Sequence, residues 1–292
     1  MNVIVFRYRS RDLTQQDVED IRGTISRYYH RGRSYISRVL CREWDWVQPN
    51  GKFKEYAARD LLLRLEEKGL VDLPPRLRPK NNNKRRSFTQ TPIFNDTPMA
   101  GLVKDYSGLH LQPIQSGEDY LWGYLLHHHH YLGVPRLVGE HLKYLARLDG
   151  RVVACLAWAS AAFKVKSRDD FIGWSTAIRR QRLHLVANNA RFLIPPWIRV
   201  KHLASKVLAL NLRRLSADWQ TAYHHRIYLA ETFVDISRFE GTCYKAANWQ
   251  CVGETSGSAK RGNAYRFHGQ AKAVYLYPLD RHFRRLLADD QG

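Results

Sequence analysis

The sequence predicts an α+β fold in two parts, a helical N-terminal domain followed by a mixed α/β domain. Three observations predict it. Residues 12 to 75 hold three segments with helical apolar spacing and stop at Pro74-Pro75. Residues 76 to 104 are rich in Asn, Pro, Lys and Arg, offer little to bury, and read as a basic linker. From 105 to 292, alternating apolar runs take turns with helix-period runs. A length of 292 residues suits two such domains.

In the first domain, Thr14 with Asp17 forms an S/T-x-x-D/E helix start, and Val18, Ile21 and Ile25 keep one face. A second helix runs from Ser34 through Ile36, Val39 and Leu40 to Trp44. Gln48-Pro49-Asn50-Gly51 is a turn signal. A third helix runs from about Phe53 to Lys68, with Ala57, Leu61, Leu62 and Leu65 on one face and Gly69 as its stop. Leu70 to Leu73 reads as a short strand. Three helices and a strand form the pattern of a winged helix-turn-helix, whose third helix enters the major groove of DNA. Lys52, Lys54, Arg59 and Arg64 lie off the core face and are candidates for phosphate or base contact. The alternative is a three-helix bundle that is basic only because the whole chain is. Arg85 and Arg86 in the linker are further phosphate candidates.

In the second domain, Leu109 to Ile114 reads as a strand and Gly117 to Tyr131 as a helix ending at Gly133. Asp149-Gly150 between two apolar runs is a strong hairpin signal. Arg182 to Ala187 and Arg191 to Ile194 are short apolar segments around Asn188-Asn189. A long helix spans about Lys201 to Tyr223, with Leu203, Val207, Leu208, Leu212 and Leu215 in register. A strand (Ile227 to Val234), a short helix (Gly241 to Trp249), a strand at Val252 and a last strand (Ala273 to Tyr277) follow. This order, with Tyr244-Lys245-Ala246-Ala247-Asn248-Trp249 before its strand, resembles the acetyltransferase-like GNAT fold. That resemblance implies a glycine-rich turn before the long helix, where backbone N–H groups hold the cofactor's pyrophosphate. Ile194 to His202 contains no glycine.

Lys and Arg total 47 against 27 Asp and Glu, a net +20, and 33 of the bases are Arg. Such a charge favours a polyanionic partner, DNA first, because guanidinium binds phosphate bidentately and stacks on bases. No apolar run reaches membrane-spanning length. The four cysteines show no C-x-x-C spacing, and the first eleven residues do not read as a secretory signal. The expectation is a cytoplasmic protein with reduced thiols.

A wider resemblance rests on His129-His130-Tyr131-Leu132-Gly133, Arg168-Asp169, Ile172-Gly173-Trp174, Asn188 to Ile194, Leu203-Ala204-Ser205, Asp218-Trp219, Glu231 to Asp235 and Gly241 to Tyr244, in that order. Trp46, Asn50-Gly51, Arg59 and Leu62 join it. Together these resemble the DruA family, a component of the Druantia anti-phage system with transposon-linked relatives. The resemblance implies phage defence or mobile-element DNA transactions, and partner proteins of a defence system or transposon.

Residue chemistry adds candidates. Asp169, Glu231 and Asp235 are acids in a basic domain, and converging carboxylates could hold Mg²⁺ or Mn²⁺ for DNA cleavage. Their alternative is ion pairing with the many arginines, Arg168 or Arg191 with Asp169 for example. Tyr131 is a candidate nucleophile beside the run His127 to His130, whose four imidazoles point different ways on a helix and cannot share one metal. Arg168, Arg191 and Lys201 are phosphate candidates. Gly253 to Gly262 lacks the Walker A order. The leading reading is a DNA-binding protein of phage defence or a mobile element. A metal- or tyrosine-dependent nuclease or transposase and a GNAT-type acyltransferase are the alternatives.

Overall fold

A computed structural model describes residues 4–8, 11–48, 51–77, 87–137, 139–261, 264–267 and 269–289, and the side chains of all of these except 258–261 and 264–267. The chain forms two compact units, Met1–Arg86 and Ser87–Gly292. The boundary falls inside the segment expected as linker. No described helix is long and apolar enough to cross a membrane.

The first unit opens with an antiparallel hairpin of β1 (Ile4–Tyr8) and β2 (Arg11–Thr14). Thr14 closes β2 and caps α1 (Gln15–Arg27) through the reciprocal box with Asp17, whose carboxylate accepts the Thr14 N–H at 2.7 Å. Helices α2 (Arg33–Glu43) and α3 (Glu55–Glu67) follow. Val18, Ile21, Ile36, Leu40, Leu61 and Leu65 form one buried core, which the hairpin joins through Tyr8 and Leu13. Gly69 stops α3 at φ +68°, as its position predicts.

The expected strand at Leu70–Leu73 does not form. Val71 and Leu73 are buried, but against the helices. The Arg22 guanidinium donates to the Leu70 carbonyl at 2.8 Å and Arg33 to the Pro74 carbonyl at 2.6 Å. Side chains thus take over carbonyls that a neighbouring strand would otherwise bind. Among the described residues no wing follows α3. The two-stranded element of this unit is the N-terminal hairpin, where the sequence shows only scattered charges.

The second unit is built on a seven-stranded sheet. In chain order its elements are β3 (Met99–Leu102), β4 (His110–Pro113), α4 (Asp119–His129), β5 (His141–Leu148), β6 (Arg151–Ser160), α5 (Lys166–Ile172), α6 (Thr176–Arg182), β7 (Val186–Leu193), β8 (Ile198–Lys201), α7 (Leu203–Tyr223), β9 (Leu229–Asp235), α8 (Thr242–Ala246), β10 (Gln250–Glu254), β11 (Ser258–Arg261), β12 (Ala264–Phe267), β13 (Lys272–Pro278) and α9 (Phe283–Ala288). The large sheet runs β10-β13-β9-β7-β6-β5-β4, while β3 pairs β8 and β11 pairs β12. Every neighbouring pair in the large sheet is antiparallel except β7 and β9.

The pleat sorts the core. Tyr144, Ala146, Leu156 and Trp158 face α7 and α8, packing on Val207, Leu208, Leu215 and Trp219. The alternate residues Leu145, Cys155 and Ala157 meet Trp122, Leu125 and Leu126 of α4. Further along that opposite face, Val186, Leu229, Val274 and Leu276 pack on α5, α6 and α9. The β5–β6 turn places Asp149 at φ +48° and Gly150 at φ +77°, the two left-handed positions that the D-G pair predicts. One expectation is corrected here. Asn188-Asn189 is no break, because both residues lie inside the continuous strand β7.

Candidate functional site

The one parallel pairing of the large sheet is short. Val186, Ala187 and Asn188 of β7 pair with Leu229, Ala230 and Glu231 of β9, and there the ladder stops. Both strands continue, to Leu193 and Asp235. Side chains take over at this split. Thr232 Oγ1 donates to the Asn189 carbonyl at 3.1 Å, and the Tyr244 hydroxyl donates to Asn189 Oδ1 at 2.9 Å. Burial raises the Tyr244 phenol far above its ordinary value.

Next to Asp235 at the end of β9 sit Tyr131, Phe239 and Arg238. The Tyr131 and Phe239 rings are 5.4 Å apart, and the Arg238 guanidinium lies 5.1 Å over Tyr131. His130 stacks on Tyr131 at 5.0 Å. Arg191, half-buried, donates to the carbonyls of Gly133 (2.9 Å) and Ala190 (2.6 Å). Burial, and then the Asp235 carboxylate, raises the Tyr131 phenol. Burial, and then Arg191, lowers the His130 imidazole to about 4. A phenolate nucleophile needs the opposite shift at Tyr131. Asp235 accepts from Ser237 Oγ at 2.6 Å, and that bond leads in lowering its carboxyl.

The other two acids meet elsewhere. Arg168 on α5 is fully buried and donates to Glu231 Oε2 at 2.8 Å, to the Ala162 carbonyl at 2.7 Å and twice to Asp169 Oδ1 at 2.7 and 3.0 Å. Trp174 Nε1 also reaches Asp169 Oδ1 at 3.0 Å, and Arg179 holds Asp169 Oδ2 at 3.0 Å. The Ala162 N–H donates to Glu231 Oε1 at 2.7 Å. Two guanidiniums thus neutralise two carboxylates, and each of the four carboxylate oxygens already accepts. A divalent cation would have to displace a guanidinium. Among the described residues no group of three His, Cys, Asp or Glu side chains is placed to hold a metal. The geometry is that of the ion-pairing alternative and not of a three-acid centre: Asp169 and Glu231 converge on Arg168, and Asp235 stands apart with Ser237. Arg168, expected at a phosphate, is consumed by this cluster.

The histidine run is distributed by helical geometry, as its spacing predicts. His127 packs on Phe88 at 5.4 Å, His128 bonds the Phe88 carbonyl at 3.1 Å, and His129 meets Trp197 at 4.9 Å. His130 Nδ1 accepts the Leu132 N–H at 3.1 Å. The Phe88 ring lies so close to α4 that a Cβ on Gly123 would sit 2.5 Å from it.

In the first unit, Arg31, Arg33, Ser34, Arg38, Arg59 and Arg76 line a groove of about 580 Å³ floored by Leu62, Leu63, Leu73 and Leu77. Glu66 holds Arg33 through two bonds of 3.1 Å, and Glu55 holds Arg38 at 3.2 Å and Arg59 at 3.6 Å. Arg59 rests over the Tyr56 ring at 4.7 Å, and its Nε is buried without a partner. Arg31 lies over Tyr35 at 4.5 Å.

A family model described as Druantia protein DruA matches residues 64–264. The chain belongs to the DruA family. No curated protein matches it. Among solved structures, similar ones are acetyltransferases. An N-acetyltransferase from Staphylococcus aureus Mu50 is 8% identical, with 59% of this chain and 99% of that chain covered and a TM-score of 0.38. The ribosomal-protein-S18-alanine N-acetyltransferase from Escherichia coli is 8% identical, with 59% and 95% covered and a TM-score of 0.37. The aminoglycoside acetyltransferase AAC(6')-Ib, in complex with coenzyme A and kanamycin, is 13% identical, with 60% and 96% covered and a TM-score of 0.39. These likenesses are partial, and the chemistry has to be read from the site.

In this DruA chain the expected phosphate contacts scatter. Lys201 ends β8 and is exposed, whereas Arg191 is tied to backbone carbonyls. Lys52 and Lys54 precede α3, Arg59 lies in the groove, and Arg64 is held by Asp60 at 3.0 Å. Arg85 and Arg86 lie outside the described residues. Trp174, Trp219 and Trp249 are buried and present no face to a base. The sequence reading missed Arg31, Arg33, Arg38 and Arg76, which converge on the groove although they are spread over 46 positions of chain. It also missed Arg238 and Phe239. The signal for that pair is an Arg-Phe dipeptide three residues past the strand-end acid.

Proposed function

We propose that this chain is a nucleic-acid-binding component of phage defence, with the arginine-lined groove of the first unit as its contact to the phosphate backbone of DNA. The observation that carries the reading is the unpartnered, buried Nε of Arg59 in a groove lined by five arginines, three of which share two carboxylates. A buried guanidinium nitrogen without an acceptor favours an anionic ligand. Membership of the DruA family supports the defence setting and partner proteins from a defence system. In this reading α2 and α3 serve as the helix-turn-helix pair, Lys52 and Lys54 just before α3 add to its basic residues, and Arg85 and Arg86 are further phosphate contacts by their chemistry alone.

The test is a salt titration of duplex DNA binding. Log affinity is expected to fall linearly with log salt, with a slope of about −0.9 for each phosphate neutralised. Arg38→Gln and Arg76→Gln should each flatten that slope by about one phosphate's worth. Variants with the wild-type slope, or no duplex binding at low salt, would overturn the reading.

The split between β7 and β9 favours a second reading, a GNAT-type acyltransferase with Tyr244 at the split. Against it stands the segment before α7. Pro195 and Pro196 lack N–H groups, and β8 is committed to pairing with β3. A thermal shift with acetyl-coenzyme A tests this reading. No shift at millimolar ligand sinks it.

A further inference from the structure

Five apolar side chains stand exposed next to the split, on the segments that leave α4 and β9. They are Tyr131 (39%), Leu132 (45%), Val134 (36%), Ile236 (51%) and Phe239 (50%). Exposed aromatic rings grouped this way mark a surface that is covered in use. Their surroundings say by what. Arg238 lies over the Tyr131 ring and is held only loosely by Asp235, at 3.9 Å. His130 and Arg238 occupy the Tyr131 ring, so Phe239 offers the larger open face, with Tyr131 as a wall beside it. The loop carrying Tyr131 is pinned by Arg191 through the Gly133 carbonyl and by His130 through the Leu132 N–H. The platform is set before any ligand arrives, which lowers the ordering cost of binding.

We propose that Phe239, walled by Tyr131, forms a stacking site for an unpaired nucleobase, with Arg238 meeting the adjoining phosphate. A flat aromatic face flanked by a guanidinium is the arrangement that holds single-stranded nucleic acid without reading its sequence. The net charge of +20 complements the strand and disfavours a basic protein segment in its place. The site rests on the nucleic-acid reading above and extends it from duplex to unpaired strand.

The test uses the full chain and three labelled probes at low salt: a single strand of about twelve thymidines, an abasic strand of equal length, and a duplex. Wild type should bind the thymidine strand on the order of tenfold more tightly than the abasic one. Phe239→Leu should erase that difference, Phe239→Trp should restore it, and neither should change duplex binding. Equal affinity of wild type for thymidine and abasic strands would overturn the stacking site while duplex binding keeps the groove in play. A Phe239→Leu variant that still prefers the thymidine strand would overturn it too. A wild type that binds none of the three probes would overturn both readings.

Discussion

At the scale of single residues, the clearest result is what Arg168 does. The sequence marks Asp169 and Glu231 as acids worth watching and places Arg168 beside them. It does not say whether their counter-charge is a metal or a guanidinium, because both call for the same carboxylates. Burial decides. With Glu231 fully enclosed, the guanidinium that meets it cannot exchange with solvent ions. Removing one partner from such a pair leaves a charge without compensation, so Arg168→Met should destabilise the fold by about 3–5 kcal/mol in urea titration. The double variant Arg168→Met, Glu231→Gln should recover part of that loss. His130 gives a second test. Its Nδ1 must be unprotonated to accept the Leu132 N–H, and its folded pKa of about 4 lies below the ordinary 6.5. The unfolded chain therefore takes up a proton first. Stability contributed here is complete above pH 6.5 and declines as the pH falls towards 4. Replacing His130 with Asn, whose amide oxygen can still accept, should flatten the pH dependence of stability across that window.

At the scale of elements, what the sequence made legible was local. The box of Thr14 and Asp17, the stop at Gly69 and the Asp149-Gly150 turn each depend on residues within a few positions, and each is found. Thr14→Ala should cost about 1 kcal/mol through the lost cap. Gly150→Ala should cost more than about 1 kcal/mol, because φ +77° strains any side chain. Elements that depend on distant partners were illegible. Leu70–Leu73 has strand composition but finds helices instead of a ladder. The β1–β2 hairpin looks like scattered charge because only Tyr8 and Leu13 of it are fully buried. No element is expected from the sequence over α5 and α6, where Arg168, Asp169 and Arg179 point inward. The candidate sites followed the same division. The acids were legible as types, and their convergence was not. Of the groove arginines only Arg59 was legible as a candidate, since nothing in a chain marks residues 31, 33, 38 and 76 as its neighbours.

At the scale of the whole molecule, the net charge of +20 was readable at once, but the gathering of five of its arginines along one groove was not. Each of the two units carries its own buried core. Calorimetry should therefore resolve two unfolding transitions, and Arg168→Met should lower one of them and leave the other in place. A single transition shifted as a whole would contradict independent cores. The parallel seam has a mechanical consequence. Seven residue pairs join β9 to β13, and eight join β5 to β6, but three join β7 to β9. The sheet is two stiff plates riveted along a short edge, with α7 as the strap across one side. A pulling force along the chain would open that edge before it tore either plate, and the first amides to exchange with solvent would be those at the end of the rivet line.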